Sequence, residues 1–378
     1  MEPIPPNKSQ RRRPWIKTPL IESATLSKAA GCRIFLKLDC LQPSGSFKSR
    51  GIGNFILSQL SDPSNDGKKL HFYNSSGGNA GLAAVVAARD LGCPCTIVVP
   101  HSTKQMMIDK LRVAGAADVI QHGASWYEAD TYLRETFIKT SKQEGSSDVI
   151  REAGTVKNVY VPPFDHPLVW EGNSTIIPEL VEQLPAREDV DEAQENAQFP
   201  AEVIICSVGG GGLFNGLIQG LHEYNKSHTS NSSKGKKVKV LATETKGADS
   251  LAYSLQNGTL KSLDAITSIA TTLGALCVSS QTFQYASEPP EGVEVTSVVV
   301  SDAEAARGVV TFADEMRILV EPACGVSIDV ATGKKLREAV GDGKLGPNSR
   351  VVVVVCGGST VTPEIVAEYR SRLAQGWM

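Results

Sequence analysis

The sequence predicts an α/β protein built on mostly parallel sheets. Short β-branched runs recur along the chain, and amphipathic, Ala-rich helical stretches follow them. Three of the run-to-helix junctions also carry glycine-rich turns, the usual edge for ligands in such sheets. Strands are expected over 33–37, 71–74, 95–99, 203–206, 238–243 and 350–355, the last reading as fully buried. Helices are expected over 48–60, 80–91, 104–113, 213–224 and 363–373. Thr362 before Pro363 reads as an N-cap with proline at the first helical position. Gly92 and Gly115 stand where C-terminal caps are needed. Two polar stretches, 186–198 and 225–237, read as solvated surface insertions. The helix over 363–373 runs close to the end of the sequence, so no added regulatory domain is expected.

Composition removes several function classes. The 378 residues are ample for a large core, and the net charge of −3 gives no general attraction to nucleic acid or membrane. Arg11-Arg12-Arg13 is the local exception and reads as a solvated arm. No segment is long and apolar enough to cross a bilayer, and the N-terminus has no apolar leader core. Glu2, Pro3, Pro5 and Pro6 argue against a mitochondrial presequence, so the cytoplasm is the expected compartment. Cys93-Pro-Cys95 has one intervening residue rather than two, and no second pair stands at zinc spacing. The eight cysteines read as core thiols in a reducing environment.

The first glycine-rich turn is Pro43-Ser44-Gly45-Ser46-Phe47-Lys48. Lys48 stands where a helix should begin, and a cation there meets the positive end of the macrodipole. That field favours the neutral amine, the form that makes a Schiff base; the alternative is an ordinary surface lysine. The second turn, Asn74-Ser75-Ser76-Gly77-Gly78-Asn79-Ala80, offers backbone N–H groups at a helix start, with Ser76 and Asn79 as side-chain donors. It suits a carboxylate, or is simply a capped βα turn. The third is Gly209-Gly210-Gly211-Gly212, whose missing Cβ atoms let backbone wrap a phosphate. A dinucleotide fingerprint fails, because Phe214 or Asn215 stands where its third glycine belongs. No Gly-Lys-Ser/Thr follows, so this is not an ATP loop. Glu244, ending the next strand, could mimic a ribose-binding acid, which keeps a dehydrogenase open.

From about Thr18-Pro19-Leu20 onward the chain resembles the fold type II pyridoxal 5'-phosphate (PLP) enzymes, and among them the liver-type serine/threonine dehydratases. The box Ser44-Gly45-Ser46-Phe47-Lys48, the tetraglycine and the late Cys356-Gly357-Gly358-Ser359, in that order, carry the resemblance. It implies a large domain of residues 1–44 and 156–378 and a small one of 45–155, with PLP in the cleft between them, in a homodimer. It implies that Lys48 holds PLP as a Schiff base, Phe47 lies against the ring, Asn79 bonds the ring oxygen, and Gly209–Gly212 cradle the phosphate. Cys356 would face the pyridine nitrogen. Ser76, Gly77, Gly78 and Ala80 would line the substrate carboxylate. Glu244, with Ala248, Ser250, Leu273 and Ala275, would form a monovalent-cation site for K⁺.

The activity so implied is β-elimination of water from L-serine, less readily L-threonine, giving pyruvate or 2-oxobutanoate and ammonia. Lys48 would take the Cα proton, and no side-chain carboxylate is assigned as the acid. A neutral thiol at the ring nitrogen does not hold a proton there, which suits elimination. Serine racemase, threonine synthase and sulfhydrylase remain alternatives, as does a non-catalytic PLP or amino-acid binding protein. A racemase needs a second acid/base opposite the lysine, and Gly77 and Ala80 supply none. Gly77 is expected to leave room beside the substrate for the threonine methyl, or else to serve only a positive-φ turn.

Overall fold

The computed structural model describes residues 12–139, 156–187, 198–228 and 237–378. Arg11 of the basic run, and residues 188–197 and 229–236 of the two expected insertions, lie outside the described residues. Ten strands are described: β1 Leu20–Glu22, β2 Arg33–Lys37, β3 Lys69–Asn74, β4 Cys95–Val99, β5 Asp118–Gln121, β6 Val156–Tyr160, β7 Val203–Ser207, β8 Val238–Thr245, β9 Val293–Val300 and β10 Arg350–Val354. They fall into two sheets, and the chain divides into two units.

The smaller unit holds described residues up to Ile16, together with Gln42–Ser44 and Lys48–Gly172. Its four-stranded sheet has the order β5-β4-β3-β6 and is parallel throughout. Every residue of β4 is buried, as a strand covered on both faces should be. Helix Asn79–Asp90 buries nine of its residues, from Ala80 to Ala88, and its run of small side chains allows that close packing. The expected boundary at 155/156 is corrected here. β6 pairs with β3 through Lys69–Val156 to Tyr73–Tyr160, so the segment reaching Gly172 belongs to the smaller unit.

The larger unit holds Lys17–Leu41, Gly45–Phe47 and Asn173–Met378. Its six-stranded sheet has the order β1-β2-β10-β7-β8-β9, parallel except for β1, which lies antiparallel on the β2 edge. β10 and β7 are buried along their whole length at the sheet centre. Burying each of their valines is worth about 1.5–3 kcal/mol, which makes this the rigid floor of the unit. Gly45–Phe47 join it because they pair with the chain after β10: Ser46 bridges Gly357, and the Phe47 N–H donates to the Cys356 carbonyl at 3.0 Å.

The expected helices begin within one residue of their observed starts. Lys48–Ser61, Asn79–Asp90, Gln105–Ala114, Gly212–His228 and Pro363–Ala374 are formed. The Thr362 side chain accepts from the Ile365 N–H, with Pro363 in the first turn. Gly92 and Gly115 take positive φ after their helices. All eight cysteines are free thiols. Among the described residues no helix is long and apolar enough to cross a membrane.

Candidate active site

In the smaller unit, Lys48 is the first residue of helix Lys48–Ser61, as expected. The turn before it is fixed by Ser49, whose Oγ accepts from the Ser44 N–H at 3.1 Å and lies 2.7 Å from Ser44 Oγ. Lys48 is half-buried. Its Nζ donates to the Pro163 carbonyl at 2.6 Å and stands 6.0 Å from the Phe164 ring centre. This is a held amine with an aromatic wall, not a solvated surface charge. Sequence reasoning misses Pro163 and Phe164, since a Pro-Pro-Phe stretch carries no chemical signal by itself.

The second turn follows β3 and ends at Asn79, the first residue of its helix, with Ala80 buried behind it. Asn74 Oδ1 accepts from the Ser76 N–H at 2.8 Å, and Asn74 Nδ2 donates to the Val161 carbonyl at 2.8 Å. Ser76 Oγ accepts from the Gly78 N–H at 3.2 Å. That N–H is therefore committed within the turn, while the Ser76 hydroxyl proton can still meet an anion. The first helical N–H groups have no carbonyl one turn earlier, the general basis of anion binding at a helix start.

Both expectations for Gly77 are corrected. Its φ is not in the left-handed region. Nor does open space adjoin it: a Cβ there would lie 2.8 Å from Thr103 Cγ2 and 3.2 Å from Val99 Cγ1. Thr103 has no signal in the sequence, because it follows β4 by four residues in an ordinary turn.

In the larger unit, the tetraglycine connects β7 to helix Gly212–His228. Gly211 takes φ +94°, and a Cβ there would overlap Thr282 Oγ1. Thr282 is fixed by Asn215 Oδ1 at 2.9 Å and Ser279 Oγ at 2.8 Å, a buried polar cluster that holds the loop. A Cβ on Gly209 would sit 3.1 Å from Leu273 Cα. Backbone this close, opening onto the N-terminus of a 17-residue helix, fits a phosphate. Asn173 Nδ2 braces the loop through the Gly212 carbonyl at 2.9 Å.

Phe47 is partly buried against the core of this unit. Cys356 follows β10 and is buried. Its Sγ accepts from Ser207 Oγ at 3.5 Å and donates to the Ala323 carbonyl at 3.8 Å. Three further thiols surround it: burial pushes Cys40 up to about 12, and Cys206 and Cys324 are also raised by burial. Burial thus favours the thiol form of these three neighbours, and among the described residues no carboxylate is in hydrogen-bond contact with Cys356. Gly358 is tied to the Gly45 carbonyl at 2.9 Å, so this turn and the first half of the lysine box form one stitched piece.

Of the expected cation residues, Glu244 lies near the end of β8 and Ser250 begins helix Ser250–Gln256. Glu244 is fully buried, and its carboxylate accepts from the Leu251 N–H at 2.8 Å and the Ala252 N–H at 2.9 Å. Burial nevertheless pushes its carboxyl up to about 8, with Asp249 adding repulsion against those two donors. Ser250 Oγ is buried with no hydrogen-bond partner among the described residues. Ala248 is buried, and the Leu273 carbonyl accepts the Ala275 N–H at 2.7 Å. A buried carboxyl and an orphaned hydroxyl are hard oxygen donors, the chemistry that suits a monovalent cation.

A family model for pyridoxal-phosphate dependent enzymes matches residues 12–357. The catabolic L-serine/threonine dehydratase of Saccharomyces cerevisiae is 38% identical over 347 residues, covering 92% of this chain and 88% of that protein. The L-serine dehydratase/L-threonine deaminase of Bos taurus is 39% identical over 348 residues, 92% of each chain. Among solved structures, a fungal L-serine ammonia-lyase from Rhizomucor miehei matches with TM-score 0.76 and 33% identity, covering 96% of this chain and 99% of that one. Maize serine racemase matches with TM-score 0.71 at 23% identity, covering 96% and 94%, a likeness of fold alone.

Proposed function

The chain belongs to the pyridoxal-phosphate dependent enzymes, and from that premise we propose that it eliminates water from L-serine, and less readily from L-threonine. The products are pyruvate or 2-oxobutanoate, with ammonia. The observation that carries this reading is Lys48, a half-buried amine held at a helix start. Lys48 would carry the cofactor covalently, with Phe47 against its ring and Asn79 on its ring oxygen. Gly209–Gly212 would take its phosphate, and Cys356 would face its nitrogen. Bound there, the cofactor supplies a sink for the electron pair left at the substrate Cα.

The freed Lys48 amine would take the Cα proton, as its position at the positive end of a helix favours a neutral base. Ser76, Gly77, Gly78 and Ala80 would orient the substrate through its carboxylate. The Cys356 thiol, already donating to the Ala323 carbonyl, does not hold a proton at a ring nitrogen, which favours elimination over long-lived carbanion chemistry. None of these side chains is a carboxylic acid, so none is assigned the proton of the departing hydroxyl. Glu244, Ala248, Ser250, Leu273 and Ala275 would hold K⁺. A reducing compartment such as the cytoplasm would keep all eight cysteines as thiols, and the family resemblance suggests a homodimer.

The test is a 2-oxo acid assay across L-serine, L-threonine, D-serine and L-cysteine. Turnover is expected to be fastest with L-serine and poor with D-serine. A protein that shows PLP absorbance but forms no 2-oxo acid from L-serine overturns the proposal.

One base lifts a proton from one face only, so the wild-type enzyme should make almost no D-serine from L-serine. Gly77→Ser adds a Cβ against Thr103, an overpacking worth about 1–3 kcal/mol, without backbone strain. The variant should fold and eliminate more slowly, and because its side chain would meet Thr103 and Val99 instead of open space it should still give almost no D-serine. Chiral chromatography decides: abundant D-serine from wild type would overturn the one-base mechanism.

A further inference from the structure

The smaller unit contains a buried carboxylate that the chemistry above does not use. Asp130 lies in helix Trp126–Leu133 and is 8% exposed. Its Oδ1 accepts from Ser75 Oγ at 2.6 Å and from the Tyr160 hydroxyl at 2.8 Å. Its Oδ2 accepts from Arg134 Nε at 2.7 Å. The Arg134 guanidinium in turn lies 3.8 Å over the Tyr160 ring. A buried charge with three donors is held hard, since moving it would leave donors and acceptor alike unpaired.

Ser75 is the residue between Asn74 and Ser76, and it is 1% exposed. Its neighbours are clamped from other directions. Asn74 ties Val161, the residue after β6, to the Ser76 N–H, Ser76 Oγ ties Gly78, and the Ser76 carbonyl lies so close to Gly81 that only glycine fits there. Ser75 supplies the remaining anchor, and among the described residues its hydroxyl runs to Asp130.

We infer that Asp130 is a positioning residue for the reaction: through Ser75 it sets the Ser76–Ala80 turn that receives the substrate carboxylate. This rests on the reading of that turn given above. Tyr160 secures the arrangement from the β6 side. Burial and the Asp130 charge push its hydroxyl up to about 12, so it stays a donor at ordinary pH.

Asp130→Asn keeps the shape but removes the charge and one acceptor oxygen, so either the amide NH2 faces the Arg134 donor or the Ser75 and Tyr160 hydroxyls must turn round to accept from it. The KM for L-serine is expected to rise about tenfold or more, with kcat changed less than about threefold, because binding common to ground and transition state is lost. PLP absorbance should be retained. Two competitive ligands separate positioning from a general loss of packing: L-alanine, which has the carboxylate, and ethanolamine, which lacks it. The variant should weaken L-alanine about tenfold and leave ethanolamine unchanged. Ser75→Ala, which deletes only the linking hydroxyl, should act in the same direction, and serves if Asp130→Asn does not fold. If wild type discriminates the two ligands and both variants keep that discrimination, the inference falls alone. If wild type binds them equally, the carboxylate reading of the turn falls, and this inference with it.

Discussion

Replacing Lys48 with alanine is expected to remove the visible absorbance of lysine-linked PLP and to lower turnover by about 10³-fold or more. The amine has two tasks in the proposed reaction, covalent attachment and proton abstraction at Cα, and alanine performs neither. The fold should survive. Lys48 is only half-buried, and the Pro163 carbonyl it releases lies where water can replace the lost donor. Far-ultraviolet circular dichroism should therefore match wild type while the absorbance band is gone. Partial rescue by a small exogenous amine would point to lost base chemistry instead of a shifted helix. A variant that turns over L-serine at a near-normal rate would remove Lys48 from the mechanism.

The sheet architecture is legible in the sequence because its central strands are buried on both faces. The expected bounds of β2 and β4 match the observed ones to the residue, and those of β7 and β8 fall short only at their C-terminal ends. The strands that escape notice sit at edges or lack a continuous apolar run. β1 has three residues, β5 is half-exposed, and β9 has four half-buried positions in a row. β6 is the costly omission. Its sequence, Val-Lys-Asn-Val-Tyr, is too polar to announce a strand, and without it the expected domain boundary lies 17 residues early, at 155 instead of Gly172. At the candidate site, residues that use backbone freedom are readable, because a run of glycines sacrifices chain entropy and is seldom found where a side chain would fit. A Cβ at Gly211 would overlap Thr282, and one at Gly357 would press on the Gly45 carbonyl. Residues that act by tertiary contact are not readable. Asn173, Thr282, Thr103 and Asp130 come from separate stretches, and nothing local distinguishes them from surface polar residues until the fold brings them to their partners.

Removing K⁺ is expected to lower both rate and stability, increasingly so above pH 7. Glu244 drives this. Its carboxyl stands near 8 in the folded chain against an ordinary value of 4.5, because burial outweighs the two N–H groups from Leu251 and Ala252. A folded value above the unfolded one means the folded state holds the proton more tightly. Its contribution to stability is complete below about pH 4.5 and is lost as pH rises through about 8. Above that, the fold carries a buried charge that a monovalent cation can neutralise. Cation binding should then release a proton, and K⁺ affinity should climb with pH and level off past about 8. With K⁺ at about a hundred times its dissociation constant, the Tm should exceed that in tetramethylammonium chloride of equal ionic strength by about 3–4 °C. The difference should be largest near pH 9 and small near pH 6. Na⁺ should substitute less well in the rate assay. Glu244→Gln keeps an acceptor for the helix start but carries no charge, so it should fold and lose the K⁺ dependence of Tm. Glu244→Ala should in addition loosen PLP, because Leu273, whose carbonyl is assigned to the ion, packs directly against Gly209 of the phosphate loop. Equal Tm and equal rate in the two salts across this pH range would remove the cation from the enzyme.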